Sequence, residues 1–205
     1  MNDYGQPLRE RDLDRDPLCQ FELWFAEAGA AGVRMPEAAA VATATPDGAP
    51  SVRMVLVKGF DERGFVFFTN YASRKGGELA ENPRAALMFY WDPLGRQVRL
   101  EGPVTRTSAE ESDAYAHSRP RGSQLGALAS PQSQPVESRE VLERRVTELQ
   151  ERYGEGELPR SDGWGGFRVE PESIEFWQQR HDRLHDRLRY RRSNGSGWLI
   201  ERLAP

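Results

Sequence analysis

The chain has 205 residues, a formal net charge of −4 and one cysteine, Cys19. The length favours a single domain, and a hydrophobic fraction of 38% is enough for a core, which excludes a disordered chain. The acidic balance argues against a nucleic-acid binder, the lone cysteine excludes an intrachain disulfide, and no apolar run approaches the roughly 20 residues of a membrane helix. We therefore expect a protein of the reducing cytoplasm without a nucleic-acid or membrane partner.

The first predicted element is a helix, which begins at the N-cap Asp16 and the helix-starting Pro17 and ends near Gly29. From about residue 39 the pattern changes to β-branched and apolar runs separated by short turns, which is typical of an antiparallel meander. Further helices are predicted to begin at the capping residues Ser73, Ser108 and Ser138 and to end at Leu79, His117 and Tyr153, in that order. Strands are predicted at 41–45, 51–60, 65–69, 85–91, 96–107, 163–169, 173–177, 183–191 and 198–203.

Strands joined by short turns, with few helices between them, predict a mainly β fold with helical additions, most simply a barrel. A parallel doubly wound sheet is disfavoured because the strands do not alternate with long helices. A strong hairpin signal, Asn194-Gly195-Ser196-Gly197, joins the last two strands.

Only Lys58 and Lys75 are lysines among 28 basic residues. Lysine is a compact point charge whereas arginine is a planar fork, so both positions become candidates for sites that need a small cation. Lys58 ends the run Arg53-Met-Val-Leu-Val-Lys58, in which alternate side chains face opposite sides of a strand. Two cations that flank an apolar stretch of strand suit a flat aromatic ligand with an anionic tail. The alternative is an edge strand whose charged side chains are solvated.

A second candidate site lies where the third strand ends and Ser73 leads into Arg74-Lys75-Gly76-Gly77. At this helix start, free N–H groups and the positive end of the helix dipole meet two cations, which predicts a phosphate site. The two glycines weaken the helix, but they would let a ligand approach the backbone closely.

A third cluster consists of Tyr115, Arg119 and Ser123 around a predicted helix end. A phenol, a guanidinium and a hydroxyl could hold a second phosphate, and a solvated helix terminus is an equal alternative.

The fourth cluster lies on the strand predicted at 183–191, where Arg183, His185, Arg187 and Arg189 would share one face. Their mutual repulsion would be relieved by an anionic ligand or by solvent. The histidines show no spacing to cysteines or carboxylates that indicates a metal site.

Together these stretches resemble the pyridoxamine 5'-phosphate oxidase family, from about Arg11 to Pro205 and with the motifs in the family's order and spacing. The resemblance implies a single FMN-binding split β-barrel domain over residues 1–205, which acts as a homodimer and uses residues 163–205 to complete the active site of the dimer. It is carried by RMVLVKGFDERGFVFFTNYASRKGGELAENPRAAL, GRQVRLEGPV, HSRPRGSQLGALAS with the QS at 132–133, WGGFRV, IEFWQ, RLHDR and the terminal ERLAP.

The resemblance further implies a flexible N-terminal lid at residues 1–15. In many relatives this lid carries an arginine three residues before a tyrosine. Tyr4 could match the tyrosine, but Met1 stands at the position of the arginine. Either the lid contact is absent or the start of the chain is drawn too late, and in both cases the core of the site is not affected.

The resemblance implies three groups of site residues. The substrate phosphate would be held by Lys58, Tyr115, Arg119 and Ser123. Arg183, Leu184 and His185 would lie over the substrate ring, with Arg183 and His185 as the catalytic residues. The FMN cofactor would be bound by Arg53, Met54, Val55, Leu56, Val57, Lys58, Phe68, Thr69, Arg74, Lys75, Gln97, Gln132, Ser133, Trp177 and Arg187.

The implied activity is FMN-dependent oxidation of pyridoxamine 5'-phosphate and pyridoxine 5'-phosphate to pyridoxal 5'-phosphate, with O2 reduced to H2O2. One alternative is another split-barrel flavin oxidoreductase, of the phenazine-pathway type, and the Tyr115, Arg119 and Ser123 cluster argues against it. The other is a non-catalytic protein that binds flavin or pyridoxal phosphate, and the intact Arg183-x-His185 argues against that.

Overall fold

The computed structural model describes residues 6–193 and 197–205. None of the helices in these residues is long and apolar enough to cross a membrane. The helices are α1 (Pro17–Ala30), α2 (Arg74–Glu81), α3 (Ala109–Ser118), α4 (Arg121–Ala129) and α5 (Arg139–Tyr153). The strands are β1 (Ala38–Ala44), β2 (Pro50–Asp61), β3 (Gly64–Asn70), β4 (Arg84–Trp91), β5 (Arg96–Arg106), β6 (Trp164–Val169), β7 (Ser173–Gln178), β8 (Asp186–Arg192) and β9 (Trp198–Arg202).

Six antiparallel strands close into a barrel in the order β4-β1-β2-β3-β6-β5, and the pairing of β4 with β5 closes it. The strand β5 belongs to two sheets, because its first half pairs with β7 and its last residues pair with β6. Beyond β7, the strands β8 and β9 extend the sheet outside the barrel. The predicted mainly β barrel with helical additions is confirmed.

Helix α1 covers one end of the barrel and fills it with aromatic rings. Its start follows the sequence, since the Asp16 carboxylate accepts the Leu18 N–H at 2.9 Å and Pro17 occupies the first turn. Phe21 is fully buried, and its ring centroid lies 4.8 Å from that of Phe65 and 5.0 Å from that of Phe89. Burying a side chain of this kind stabilises a fold by roughly 1.5–3 kcal/mol.

The described part of the expected N-terminal lid is held against the last strands. Leu8 and Leu13 are buried in the core. Arg202 of β9 donates hydrogen bonds to the Leu8 carbonyl at 2.9 Å and to the carboxylate of Glu10. Residues 6–15 are thus anchored at both their apolar and their charged side chains. The lid positions Met1 and Tyr4 lie outside the described residues.

The prediction of a strand from residue 183 was wrong at its start, because β8 begins only at Asp186. Residues His181–Arg183 form a short 3-10 turn, in which Asp182 and Arg183 have φ of 57° and 60°. These left-handed values are uncommon for residues other than glycine and are incompatible with a strand. Arg183 and His185 therefore do not share a strand face with Arg187. The antiparallel pairing of β8 with β9 is confirmed, while residues 194–196 of the predicted hairpin turn lie outside the described residues.

The two adjacent glycines of α2 have different surroundings. A Cβ atom added at Gly76 would lie 2.1 Å from the backbone oxygen of Tyr71, whereas one added at Gly77 would meet no atom within 4 Å. The space beside Gly76 is therefore filled by the chain itself and is not free for a ligand. Only Gly77 leaves its side of the helix open.

These surroundings predict opposite effects for two similar substitutions. Gly76→Ala should destabilise the fold, because the backbone of Tyr71 must move to make room. Gly77→Ala should stabilise it by about 0.5–1 kcal/mol, since alanine favours a helix more than glycine does. Denaturant unfolding of both variants beside the parent measures this difference, and equal free energies of unfolding would contradict the packing at Gly76.

Candidate active site

A cavity of about 430 Å³ opens beside β3 and the helices α3 and α4. It brings together side chains that are far apart in the sequence, from strand ends and from helix ends. Asn70, Ala127 and Trp164 also line it. Of the residues predicted for a ligand site, those that line it are Leu56, Lys58, Phe68, Thr69, Tyr115, Arg119, Ser123 and Gln132.

Lys58 lines the cavity at an irregularity of β2. The pairing of β2 with β3 shifts between Val57 and Gly59, which leaves Lys58 as the extra residue of a bulge. Its ammonium lies 3.3 Å from the carboxylate of Glu37. Lys58 and Leu56 are both exposed on β2, and both line the cavity.

Three stacked aromatic rings form one wall of the cavity. The rings of Phe68 and Tyr115 lie 4.0 Å apart at 21°, and Trp164 stacks on Phe68 at 5.6 Å. The guanidinium of Arg119 lies over the ring of Trp164, 4.8 Å from its centroid. A Cβ atom at Gly166 would lie 2.9 Å from the Phe68 ring, so this glycine is needed for the stack.

Trp164 is a site residue that the sequence did not single out. Its signal is the run Trp164-Gly-Gly-Phe, which the sequence analysis used as a strand and as part of the resemblance without assigning Trp164 to the site. An aromatic residue followed by two glycines in a strand indicates that other groups pack closely there. Trp164 is 7% exposed and supports Arg119 by a cation–π contact.

Lys75 lies behind this wall and is the most buried cation near the cavity, with 7% of its surface exposed. Its ammonium donates to Thr69 Oγ1 and Gln132 Oε1, each at 2.9 Å, and to Ser73 Oγ at 3.4 Å. All three are neutral oxygens, and no ion pair of Lys75 occurs in the described part of the chain. Burial, together with the nearby Arg53, lowers the pKa of Lys75 to about 8. A buried cation without a carboxylate partner is a good place for an anion.

Arg53 and Arg74 lie next to Lys75 and share the carboxylate of Glu78. Arg53 Nη2 lies 3.3 Å from it and Arg74 Nε lies 2.9 Å from it. Burial alone would raise the pKa of Glu78, but hydrogen bonds from Ser51, Thr43 and the two arginines lower it to about 2. The sequence analysis missed Glu78, whose one signal is its position four residues after Arg74 on α2.

The remaining predicted residues of β2 face both sides of the strand. Arg53, Val55 and Val57 point inward, and Val57 is 6% exposed, whereas Met54 and Leu56 point outward. These side chains therefore cannot all meet one ligand. The strand β2 pairs with β3 only from Val57 onward, so the first half of β2 has one backbone edge without a partner strand in the described residues.

A second group of predicted residues forms a row on the outer face of the sheet extension. Gln97, Trp177 and Arg187 are register neighbours across β5, β7 and β8. The guanidinium of Arg187 donates to the buried carboxylate of Glu175 at 2.8 and 3.1 Å and to the backbone oxygen of Ala204 at 2.9 Å. None of these residues lines the cavity beside β3.

His185 lies next to this row, with its ring 4.7 Å from that of Trp177. His185 Nδ1 accepts the backbone N–H of Arg180 at 3.1 Å, so in the neutral ring the proton belongs on Nε2. Arg183 and Leu184 are exposed on the turn before it. Ser133 is exposed too, with φ of 71° in the segment after α4. The predicted site residues thus fall into a cavity group and a sheet-extension group.

An apolar surface joins the two groups on the outside of the sheet. Met54 and Met88 flank the same residue of β1, and Tyr90 is the register neighbour of Gln97. Val52, Met54 and Tyr90 are 68%, 65% and 49% exposed. A contiguous apolar face of this kind on a folded chain indicates a protein–protein interface.

The sequence was compared with those of known families and proteins. Residues 25–153 match the family described as pyridoxamine 5'-phosphate oxidase, and residues 164–205 match the pyridoxine 5'-phosphate oxidase C-terminal dimerisation region. A protein of Rubrobacter xylanophilus named pyridoxine/pyridoxamine 5'-phosphate oxidase is 61% identical over 198 residues, which cover 97% of this chain and 91% of that protein.

Two solved structures resemble the fold. PhzG from Burkholderia lata, in complex with tetrahydrophenazine-1-carboxylic acid, superposes with a TM-score of 0.91 at 36% identity over 98% of this chain and 100% of the other. A pyridoxamine 5'-phosphate oxidase-related, FMN-binding protein from Nostoc punctiforme gives a TM-score of 0.72 at 18% identity over 90% of this chain and 97% of the other. The second likeness shows the fold alone.

The environment of Lys75 predicts a pH dependence of anion binding. A phosphate monoester such as methyl phosphate has a second pKa of ~6 and is a dianion above pH 7. Its affinity for the ligand-free protein should fall roughly tenfold as the pH rises through about 8, because Lys75 then loses its proton. Calorimetric titrations from pH 7 to 10 measure this, and binding near pH 8 should be accompanied by proton uptake.

Two substitutions control this experiment. Lys75→Met should bind the monoester weakly at every pH, and Lys58→Met should keep the step near pH 8. Because the pKa of folded Lys75 lies below the value of 10.5 for a free lysine, its protonated form also lowers the stability of the fold below pH 8. That cost disappears as the pH rises toward 10.5. If the Lys75→Met variant still shows the same fall in affinity near pH 8, the group that titrates is not Lys75.

Proposed function

The chain belongs to the pyridoxamine 5'-phosphate oxidase family, and we propose that it oxidises pyridoxamine 5'-phosphate and pyridoxine 5'-phosphate to pyridoxal 5'-phosphate with FMN as cofactor and O2 as electron acceptor. The observation that carries the proposal is that two separate sets of side chains suited to phosphates lie at one aromatic-walled cavity: one set lines it, and the other is joined to it through Thr69 and Gln132, which line the cavity and hold Lys75. The joined set comprises Arg53, Arg74 and Lys75 at α2. The lining set comprises Lys58, Tyr115, Arg119 and Ser123. Two sets suit a phosphorylated cofactor and a phosphorylated substrate.

The set at α2 fits the FMN phosphate. Lys75 is buried among neutral oxygens and has no carboxylate partner in the described residues. Ser73 caps the helix, so free N–H groups of the first turn lie next to these cations. A single cradle of this kind suits one terminal phosphate. It offers no second cradle for the pyrophosphate of FAD.

The flavin ring would lie along the open edge of β2. Alternating backbone N–H and C=O groups there can bind the polar edge of a flat heterocycle. Thr69 and Gln132, which hold Lys75, would lie between the ring and the phosphate. The bound flavin supplies two-electron oxidation chemistry, and the protein supplies binding and orientation.

The cavity set would hold the substrate phosphate and so fix the position of the substrate ring. Arg119 is already supported by Trp164, and Lys58 by its ion pair with Glu37. Orientation of bound reactants can lower a barrier by roughly 7–11 kcal/mol. A phenazine carboxylic acid would bring a single negative charge to these residues, whereas a phosphate monoester carries about −1.5 to −2, which favours the phosphorylated substrate.

The second half of each site would come from a partner subunit. Gln97, Trp177, His185 and Arg187 lie on the sheet extension and do not line the cavity of their own chain. In a homodimer that buries the apolar face around Met54, residues 163–205 of one chain would reach the cavity of the other. His185 Nε2–H and Arg183 would then lie over the substrate ring as catalytic residues.

The proposed activity is tested with the purified protein. It should be yellow, release FMN on denaturation, and form pyridoxal 5'-phosphate and H2O2 from either substrate under air. Finding FAD, or no flavin after reconstitution, would overturn the cofactor assignment. Equal turnover of a non-phosphorylated ring substrate would instead favour the phenazine-type activity.

Sites shared between subunits can be tested by tagging the two chains differently and purifying heterodimers. A heterodimer of Arg119→Ala and His185→Ala chains should have one intact site and about half of the parental activity. A heterodimer of a parent chain with a doubly substituted chain should be inactive, because each of its sites contains one substituted half. If each site is built from one chain, the two results are reversed.

A further inference from the structure

Glu78 is a buried carboxylate in the middle of the cations at α2. Only 5% of it is exposed. It accepts hydrogen bonds from the hydroxyls of Thr43 and Ser51, from Arg53 Nη2 at 3.3 Å and from Arg74 Nε at 2.9 Å. Strands β1 and β2 and helix α2 therefore meet at this one group. A negative charge beside a phosphate site opposes the phosphate by repulsion, so its presence there needs a compensating role.

The two arginines depend on Glu78 to different degrees. Arg53 is also held by Thr43 Oγ1 at 2.5 Å and by the hydroxyl of Ser51. Arg74 is 63% exposed, and its one hydrogen bond in the described part of the chain is the bond from Nε to Glu78. Both of its terminal nitrogens remain available for a ligand. The carboxylate thus fixes the direction of the Arg74 guanidinium while leaving its outer edge open.

The charges of this cluster match those of a phosphate monoester. Arg53, Arg74 and Lys75 are cations, and Glu78 stays ionised because its pKa is held at about 2. The cluster therefore has a net charge of about +2, and a phosphate monoester has a charge of about −1.5 to −2 at pH 7.

We propose that Glu78 is a positioning residue, whose carboxylate directs Arg74 toward the phosphate of the bound cofactor and adjusts the cluster to the charge of a monoester. This inference rests on the proposed function. The buried carboxylate would thus contribute to anion binding indirectly, because it orients Arg74.

The test compares FMN with riboflavin, which has the same ring without the phosphate. Glu78→Ala should weaken FMN binding by roughly tenfold, the value of one charge-assisted contact, and should leave riboflavin binding unchanged. Glu78→Gln should recover part of the loss, because its amide oxygen can still accept from Arg74. Glu81→Ala, at an exposed position of the same helix, is the matched control and should bind both ligands as the parent does. Fluorescence quenching measures each affinity.

A double-mutant cycle then tests the route of the effect. In an Arg74→Ala background, Glu78→Ala should cause little further loss of FMN affinity, because both substitutions remove the same contact. Circular dichroism and the melting temperature follow folding, and Glu78→Gln serves if Glu78→Ala does not fold.

Three results would overturn the role of Glu78. The first is unchanged or tighter FMN binding in Glu78→Ala. The second is an equal loss of affinity for FMN and for riboflavin in that variant. The third is that Glu78→Ala weakens FMN binding as much in the Arg74→Ala background as in the parent. A parent protein that binds riboflavin but gains nothing from the phosphate of FMN would overturn the proposed cofactor as well.

Discussion

The fold depends on the shared pairing of β5. Its first half forms the wall between the barrel and the extension, and its last residues turn to pair with β6. Gly102 lies between these two pairings, where a Cβ atom would lie 1.9 Å from the backbone oxygen of Glu170. No residue with a side chain fits there without moving this backbone. Closure of the barrel and placement of β7, β8 and β9 therefore rest on one close backbone contact.

Three buried charged side chains lie among the candidate site residues, and they differ in the kind of partner that they bind. Glu78 and Glu175 are both almost fully buried, and each binds two arginines. A carboxylate with two such partners holds side chains in fixed directions. Lys75, in contrast, has only neutral oxygens around it. A buried ion of this kind is costly alone, which makes it the group with most to gain from a bound anion.

The sequence predicted the meander and the helix starts well, because both depend on local patterns. Asp16, Ser73 and Ser108 cap helices as their residue types and spacing indicated. Helix α4 was missed, since Pro120 provides no side-chain cap and two glycines lower the helix propensity. The resemblance to a family gave a list of site residues, many of which the structure brings together at one cavity.

The sequence could not predict contacts that form only when distant elements of the fold come together. Glu78 has the pattern of a solvated helix residue, and its burial arises only where β1, β2 and α2 meet. The left-handed backbone conformation of Arg183 likewise cannot be predicted from a pattern of alternating charges. The alternation of charged residues predicted a strand there, whereas the backbone of the folded chain forms a 3-10 turn.

The cavity is made from two kinds of element. One side is formed by β2 and β3, whose residues also serve the core and the apolar outer face, and α2 lies behind this side through the hydrogen bonds of Lys75. The other side consists of α3, α4 and their connection, which lie on the barrel as additions. Changes in β2 therefore affect several properties at once, whereas changes around Tyr115 and Ser123 affect mainly what the cavity accepts. Under the proposed function, such a division lets descendants of one ancestor acquire new substrates while the elements that bind the cofactor are inherited intact.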